Sequence, residues 1–332
     1  MLLAIETSCD ETACALLNED TVVAEIVYSQ TEHALYGGVV PELAARDHQV
    51  RLPLLLQSMM HGICQFSDIS HIAYTQGPGL AGCLWVGHYY AVGLATGLNI
   101  PIRGIHHLEG HIMSVLLQGQ GVWMERYKKM TPCIALIVSG GHTMFVEVQQ
   151  QSYKVLGETL DDAVGEVFDK IARLLSLPYP GGAALSKLAA SGKAIYALPR
   201  PMTDKLSANM SFSGLKTAAR LLFEKLPDGC QADFAASFEQ AVIDTLMYKI
   251  KYVMHSSQLK TFIIVGGVSA NTRLRSAVEV WSYIENITCI FPPQAYCGDN
   301  AAMIAVAGWL RNDFQTPYSP ATVCLRDSLK WL

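Results

Sequence analysis

Cys133-Ile134-Ala135-Leu136-Ile137-Val138-Ser139-Gly140-Gly141-His142-Thr143-Met144-Phe145-Val146-Glu147-Val148 is the stretch on which the fold turns. An unbroken apolar run of this length, rich in β-branched residues, predicts a fully buried strand. Ser-Gly-Gly predicts a tight, hydroxyl-bearing turn, and Thr143–Val148 the returning strand. The amino-terminal segment has the same form. Leu2–Thr7 is a short apolar strand, Ser8-Cys9-Asp10-Glu11-Thr12 a polar turn, and Ala13–Leu17 is apolar again. With Thr21–Tyr28 as a third strand this is a β-meander. The two stretches read as related lobes, although they are too dissimilar for a sequence repeat. Hydroxyls and turn amides can hold phosphate oxygens, and the Asp10 and Glu11 carboxylates can hold a cation or a water. An ordinary polar hairpin has the same composition.

Outward from these turns, Pro41–Gln65 has helical periodicity and Ile72–Tyr74 is a short strand. Gln76-Gly77-Pro78-Gly79-Leu80-Ala81-Gly82 then leads into an apolar helix ending near Gly97. This loop is either a plain strand-to-helix connection or an anion site at a helix N-terminus. Gln118–Met130 reads as a linker. The expected lobes are therefore 1–120, ending in a helix that carries two histidines, and 131–332, with the last helix (about 298–311) packing back toward the first lobe. In the second lobe Asp161 and Asp162 open a helix, where the dipole favours acids. Asp169 lies seven residues after Asp162, on the same face. Thr261–Val265 is another buried strand, followed by Gly266-Gly267-Val268-Ser269-Ala270-Asn271. The glycine pair lets backbone approach a planar ring or a ribose, and Asn271 either caps the next helix or contacts a ligand.

The chain has 332 residues, 51% hydrophobic and 16% charged, with a net charge of −5. That is enough apolar surface for two cores. It gives no global electrostatic case for nucleic acid. Arg126-Tyr127-Lys128-Lys129 reads as a solvated surface loop. No apolar run is long enough to span a membrane. Met1-Leu-Leu-Ala-Ile-Glu6 reaches an acid at once and does not read as a signal peptide, so a cytoplasmic protein is expected. Nine cysteines without a C-x-x-C pair argue against a disulfide framework or a cysteine zinc site.

His106-His107-Leu108-Glu109-Gly110-His111 places two imidazoles at i and i+4. On a helix that spacing turns a side chain by only about 40°, so both rings leave one face and can share a metal ion. Asp299, in Tyr296-Cys297-Gly298-Asp299-Asn300, sits where a helix N-cap belongs and is the best candidate for a third ligand. Glu109 lies about 200° round the helix from His107. The H-E-x-x-H arrangement of metallopeptidases, with its base beside the first histidine, is therefore not met.

Three strand–turn units in two similar lobes resemble the actin, hexokinase and Hsp70-ATPase (ASKHA) superfamily, an α/β fold of mixed sheets with helices on their faces. The motifs Ile5-Glu-Thr-Ser-Cys-Asp-Glu-Thr12, His106-His-Leu-Glu-Gly-His111, Val138-Ser-Gly-Gly-His-Thr143, Gly165-Glu-Val-Phe-Asp-Lys170, Tyr179-Pro-Gly-Gly182, Phe212-Ser-Gly-Leu-Lys216, Gly266-Gly-Val-Ser-Ala-Asn271 and Cys297-Gly-Asp-Asn300 occur in order. Together they closely resemble the bacterial-type tRNA N6-adenosine threonylcarbamoyltransferases (the TsaD family, formerly described as O-sialoglycoprotein endopeptidases). The resemblance implies an acyltransferase that moves threonylcarbamoyl from threonylcarbamoyl-AMP to N6 of adenosine 37, in tRNAs reading codons that start with A, and releases AMP. It implies one divalent metal, Fe2+ or Zn2+, on His107, His111 and Asp299. It places ATP or threonylcarbamoyl-AMP on Ile137, Val138, Ser139, Gly140, Gly141, Asp169, Gly182, Gly266, Gly267 and Asn271, with Thr7 and Ser8 beside the phosphates. Asp10 or Glu11 would orient the amine or accept its proton. Implied partners are the tRNA anticodon loop, a paralogous TsaB-type subunit, a small TsaE-type P-loop ATPase and an upstream L-threonylcarbamoyladenylate synthase, with no membrane. The sequence departs from the family at Ala183 and Ser186, where relatives carry proline and an acid, and at Gly298, where threonine is more familiar. Rival readings are a small-molecule kinase of the same fold, a metallopeptidase, and a non-enzymatic scaffold.

Overall fold

A computed structural model describes residues 1–119, 122–150 and 152–316. By internal contacts the chain divides into two compact units: Met1–Lys129 with the segment from Pro292 onward, and Met130–Phe291.

In the first unit β1 (Leu2–Glu6), β2 (Glu11–Asn18) and β3 (Thr21–Ser29) form the antiparallel meander expected from the apolar–polar–apolar pattern. Then come α1 (Pro41–Met60), β4 (His71–Gly77), α2 (Ala81–Leu98), β5 (Ile102–His106) and the short α3 (His107–Met113). The sheet order is β3-β2-β1-β4-β5, with β4 parallel to β1 and β5 parallel to β4. Every residue of β1 is buried. Leu3, Ile5, Leu16 and Tyr74 share a core with Leu52, Leu56 and Met59 of α1 and with Ala91 and Ala95 of α2. The segment read as a linker holds a helix, α4 (Trp123–Met130). Trp123, Tyr127 and Met130 fall at helical spacing and are buried, while Lys128 and Lys129 are exposed on the opposite side. Apolar positions four and three apart outweighed the polar composition.

The second unit repeats the plan. β6 (Cys133–Val138), β7 (Thr143–Gln149) and β8 (Ser152–Glu158) form a meander. They are followed by α5 (Val164–Leu174), α6 (Gly181–Ala189), α7 (Ser213–Phe223), the long α8 (Gln231–Ser257), β9 (Thr261–Val265), α9 (Thr272–Ile284) and β10 (Thr288–Ile290). The order β10-β9-β6-β7-β8, with β9 parallel to β6, mirrors that of the first sheet. All six residues of β6 are buried, and Leu136 and Phe145 lie in one core with Val167, Phe168, Phe238, Leu246 and Ile264.

Asp161 and Asp162 do not lie in the first turn of α5, which begins at Val164, and so Asp162 shares no helix face with Asp169. The Asp161 carboxylate instead accepts from the Phe212 and Ser213 amides at 2.7 and 3.1 Å and from the Ser211 and Ser213 hydroxyls at 2.6 and 2.7 Å, so it caps α7. Asp162 pairs with Lys216 and, at 3.3 Å, with Lys170.

From Pro292 the chain belongs to the first unit rather than to a lobe running on to 332, and the residues past 316 lie outside those described. Its helix α10 (Ala301–Arg311) is built of small residues that lie against the sheet. A Cβ on Gly308 would meet the Ala73 Cβ at 2.9 Å. The N-cap of α10 is Asn300, whose Oδ1 accepts from the Met303 amide at 2.8 Å, and not Asp299. Among the described residues no helix is long and apolar enough to cross a membrane, and the eight cysteines there are all free thiols.

Candidate functional site

α3 starts directly at the end of β5, and His106 caps it by accepting from the Leu108 amide at 3.2 Å. His107 is therefore in the first turn and His111 one turn on. Their rings lie 4.7 Å apart, nearly perpendicular. α3 is held against α10 at Gly110, where a Cβ would come within 2.8 Å of Ile304 and 3.2 Å of Met303. With Asn300 as cap, the Asp299 carboxylate faces the histidines. Its Oδ1 is 3.6 Å from His107 Nε2 and 3.1 Å from His111 Nε2. Candidate ligand atoms on the three residues all lie within 4.8 Å of one another.

The sequence reading missed the residue that aims this cluster. Glu6, at the end of β1, is fully buried, and its Oε2 lies 3.1 Å from His107 Nδ1. Thr75 Oγ1 donates to the same oxygen at 2.5 Å, and the Ser8 amide donates to Oε1 at 2.5 Å. A carboxylate on one ring nitrogen fixes the tautomer and turns the other nitrogen toward a metal. The one sequence-level signal was an acid inside an otherwise apolar strand. His111 Nδ1 is buried without a hydrogen-bond partner, and Nε2 meets the Asp299 carboxylate. Buried polar atoms seldom stay unpaired. Two imidazole nitrogens and one carboxylate form a donor set found at both Fe2+ and Zn2+ sites. The residues therefore fit a divalent metal.

Carboxylates dominate the charge around the two histidines. Burial lowers a histidine pKa, but at His107 the Asp299 and Glu6 carboxylates outweigh burial and raise it to about 9. At His111 burial wins and the value is lowered, Asp299 notwithstanding. Burial also pushes Glu11 well above the usual carboxylate range, helped by Asp299 and Asp10.

Thr7 and Ser8 have specific partners. Thr7 Oγ1 donates to the Cys83 carbonyl at 3.0 Å, tying the turn to α2, and Ser8 Oγ lies 3.2 Å from His107 Nδ1. The Gly77–Gly79 loop closes on the same turn, for the Leu80 amide donates to Ser8 O at 2.8 Å and a Cβ on Gly79 would meet that oxygen at 2.5 Å. Asp10 is buried and Glu11 half-buried beside it. His48 holds the turn from α1, with Nδ1 2.7 Å from Thr12 Oγ1 and Nε2 2.8 Å from Cys9 O. Glu109 is turned to Arg311, whose Nε donates to both carboxylate oxygens at 2.8 and 2.9 Å.

In the second unit the other candidates gather around the ends of β6 and β9. Ile137 and Val138 are buried in β6, and Ser139–His142 is closed by the Ser139 amide on His142 O at 2.8 Å. Gly140 and Gly141 are exposed with open space where a Cβ would stand. The start of α5 abuts this turn, since the Gly165 amide donates to Ser139 O at 3.2 Å. Gly266 has φ 92° and packs on Val138, whose carbonyl a Cβ would meet at 2.5 Å, while Gly267 faces open space. Asp169 accepts from the Gly181 amide at 2.8 Å, which places the amino end of α6, with Gly182, beside α5. Asn271 does cap α9, accepting from the Leu274 amide at 2.8 Å, and its Nδ2 reaches Ser186 and Glu239. The exposed glycines of this turn, with the start of α5 against it, suit an anionic ligand.

The family model for TsaD, tRNA N6-adenosine threonylcarbamoyltransferase, matches residues 21–306. A Chromobacterium violaceum protein named tRNA N6-adenosine threonylcarbamoyltransferase is 44% identical over 335 aligned positions, covering 97% of this chain and 96% of that protein. Among solved structures, HypF from T. kodakarensis superposes with a TM-score of 0.59 at 14% identity, over 94% of this chain and 47% of HypF. A full-length HypF in its phosphate- and nucleotide-bound form gives a TM-score of 0.56 at 10% identity, over 94% of this chain and 46% of that one. At such identities the likeness speaks for the fold alone, an α/β arrangement of two mixed five-stranded sheets.

Proposed function

Since this chain belongs to the tRNA N6-adenosine threonylcarbamoyltransferase family and makes N6-threonylcarbamoyladenosine in tRNA, we propose how its residues divide that work. The acyl donor is threonylcarbamoyl-AMP, and the acceptor is N6 of adenosine 37 in tRNAs reading codons that start with A. The amine attacks the carbamoyl carbon, the carbon–oxygen bond to AMP breaks, the amine loses a proton, and AMP departs. The adenylate, or ATP, is held in the second unit by the turn at Ile137, Val138, Ser139, Gly140 and Gly141, by the helix start at Gly182 that Asp169 positions, and by Gly266, Gly267 and Asn271. Holding the donor in one orientation is the protein's main contribution to such a transfer.

His107, His111 and Asp299 hold the metal, Fe2+ or Zn2+. When bound, it would supply a Lewis acid and an anchor for a phosphate or carbonyl oxygen. Glu6 and Ser8 orient His107, and Thr7 fixes the turn that carries both. Asp10 or Glu11 orients the amine or takes its proton. The His-His-Asp cluster, with its ligand atoms gathered in one place, carries this reading, because a kinase or a scaffold of the same fold has no use for it. A peptidase needs a base on the metal, and Glu109 is held by Arg311 instead.

The partners that fit are the anticodon loop, where bases can be splayed out for recognition, a TsaB-type paralogue, a TsaE-type ATPase and the synthase that makes the adenylate, all cytoplasmic. The test is to incubate the chain with those proteins, ATP, bicarbonate, threonine and tRNA, digest the tRNA and measure the modified nucleoside by mass spectrometry. Activity surviving His107→Ala with His111→Ala would sink the metal role.

A further inference from the structure

We infer that Glu239 is a positioning residue whose buried carboxylate, together with the Leu274 amide, fixes the orientation of the Asn271 amide, so that this corner of the second unit offers a ligand an acceptor at Asn271 and a donor at Ser186. The inference rests on the nucleotide reading above and adds to it the polarity of one subsite.

Glu239 is fully buried in α8 between core residues such as Phe238 and Val242. A carboxylate in that setting is strongly disfavoured unless its oxygens are satisfied. One oxygen, Oε1, accepts from Asn271 Nδ2 at 2.7 Å, and Oε2 accepts from Arg273 Nη1 at 3.2 Å. Arg273 is itself held by Gln240 Oε1 at 2.6 Å. An asparagine amide can usually be flipped, because its oxygen and nitrogen look alike. Here the partners forbid it. The Leu274 amide can only donate, so the group 2.8 Å away is Oδ1. The Glu239 carboxylate can only accept, so the group facing it is Nδ2.

The second Nδ2 hydrogen goes to Ser186 Oγ at 2.9 Å. Both amide hydrogens are thereby engaged, while Oδ1 keeps a lone pair. Ser186 accepts in that contact, which leaves its own proton to donate. Asn271 and Ser186 are both partly exposed, so both can meet a ligand. A group that only accepts, such as a phosphate, is repelled at Asn271. A hydroxyl or amine of a nucleoside fits. The phosphates are left to the glycine turns, whose amides donate.

ATP binding by the intact chain, measured by calorimetry together with Tm, tests this on four proteins: wild type, Glu239→Gln, Asn271→Asp and the double variant. Glutamine offers one acceptor where Glu239 offers two, so Glu239→Gln sets an NH2 group against either Asn271 Nδ2 or Arg273, and ATP binding should weaken about tenfold. Asn271→Asp sets two carboxylates against each other and should lower both Tm and affinity. In the double variant glutamine donates to the introduced carboxylate, and affinity should return to within about threefold of wild type. Wild-type ATP affinity in Glu239→Gln, or additive losses in the double variant, would overturn the inference. If the wild type binds no ATP, the nucleotide reading fails. The Tm values of the same four proteins still decide the pairing, with rescue supporting it and additivity sinking it.

Discussion

Glu6 Oε2 and His107 Nδ1 lie 3.1 Å apart, both buried, and join the end of the first strand to a helix that starts 101 positions later. The contact aims the opposite ring nitrogen, Nε2, toward Asp299. Second-sphere carboxylates of this kind change metal affinity by about 10- to 100-fold when removed. Glu6→Gln is expected to weaken Fe2+ and Zn2+ binding by that order in a competition titration. Unchanged affinity would show that Glu6 serves the fold only.

Removing a ligand should act differently from removing its support. Asp299→Ala is expected to abolish stoichiometric metal in the purified protein. Because Asn300 is the helix cap, the melting temperature of the metal-free form should move little. A steep loss of apo-protein stability would mean that Asp299 holds α10 itself.

Glu109→Gln separates the transferase from the peptidase. Breaking the buried pair with Arg311 should cost about 3 kcal/mol of stability, seen in urea unfolding. Metal content and nucleoside formation per folded molecule should stay near wild type. Peptide cleavage by the wild type that Glu109→Gln abolishes at full metal occupancy would reopen the peptidase reading.

Gly266→Ala should damage the second unit. The added Cβ would meet the Val138 carbonyl at 2.5 Å, a backbone atom that cannot swing aside, and φ is 92°. A destabilisation of about 1–3 kcal/mol is expected with weakened ATP binding. Gly267→Ala, with open space around it, should leave stability nearly unchanged.

Asp161 supplies a pH signature. Burial would raise its pKa, but donation from Ser211, Phe212 and Ser213 outweighs this and lowers it from 3.8 to about 2. A carboxylate depressed in the folded state stabilises fully above its unfolded pKa, and loses that contribution as pH falls through the folded one. Between about pH 4 and pH 2 the wild type should therefore lose Tm more steeply than Asp161→Asn. Parallel curves would show that the cap at α7 contributes nothing through its charge.

Much of this was legible locally. Six consecutive apolar residues at Cys133–Val138 can only be a buried strand. The four-residue spacing of His107 and His111 depends on the helical period alone. What misled was composition without packing. Gln118–Met130 looks like a linker until Trp123 and Tyr127 are seen buried, and Asp299 looks like a cap until Asn300 is found in that role.

The sequence by itself determined the two meanders, their parallel continuations and the two-histidine face, because strand and helix periods are properties of neighbouring residues. Asp299 was named from the sequence as the third group beside the histidines, but only the tertiary structure decided which donors each buried carboxylate meets. Glu6 behind His107 and Glu239 behind Asn271 are each set by contacts between elements far apart in the chain. A buried acid has the same letter whether it caps a helix, aims a histidine or pins an amide; its role comes from the donors that folding brings within 3 Å or so of it.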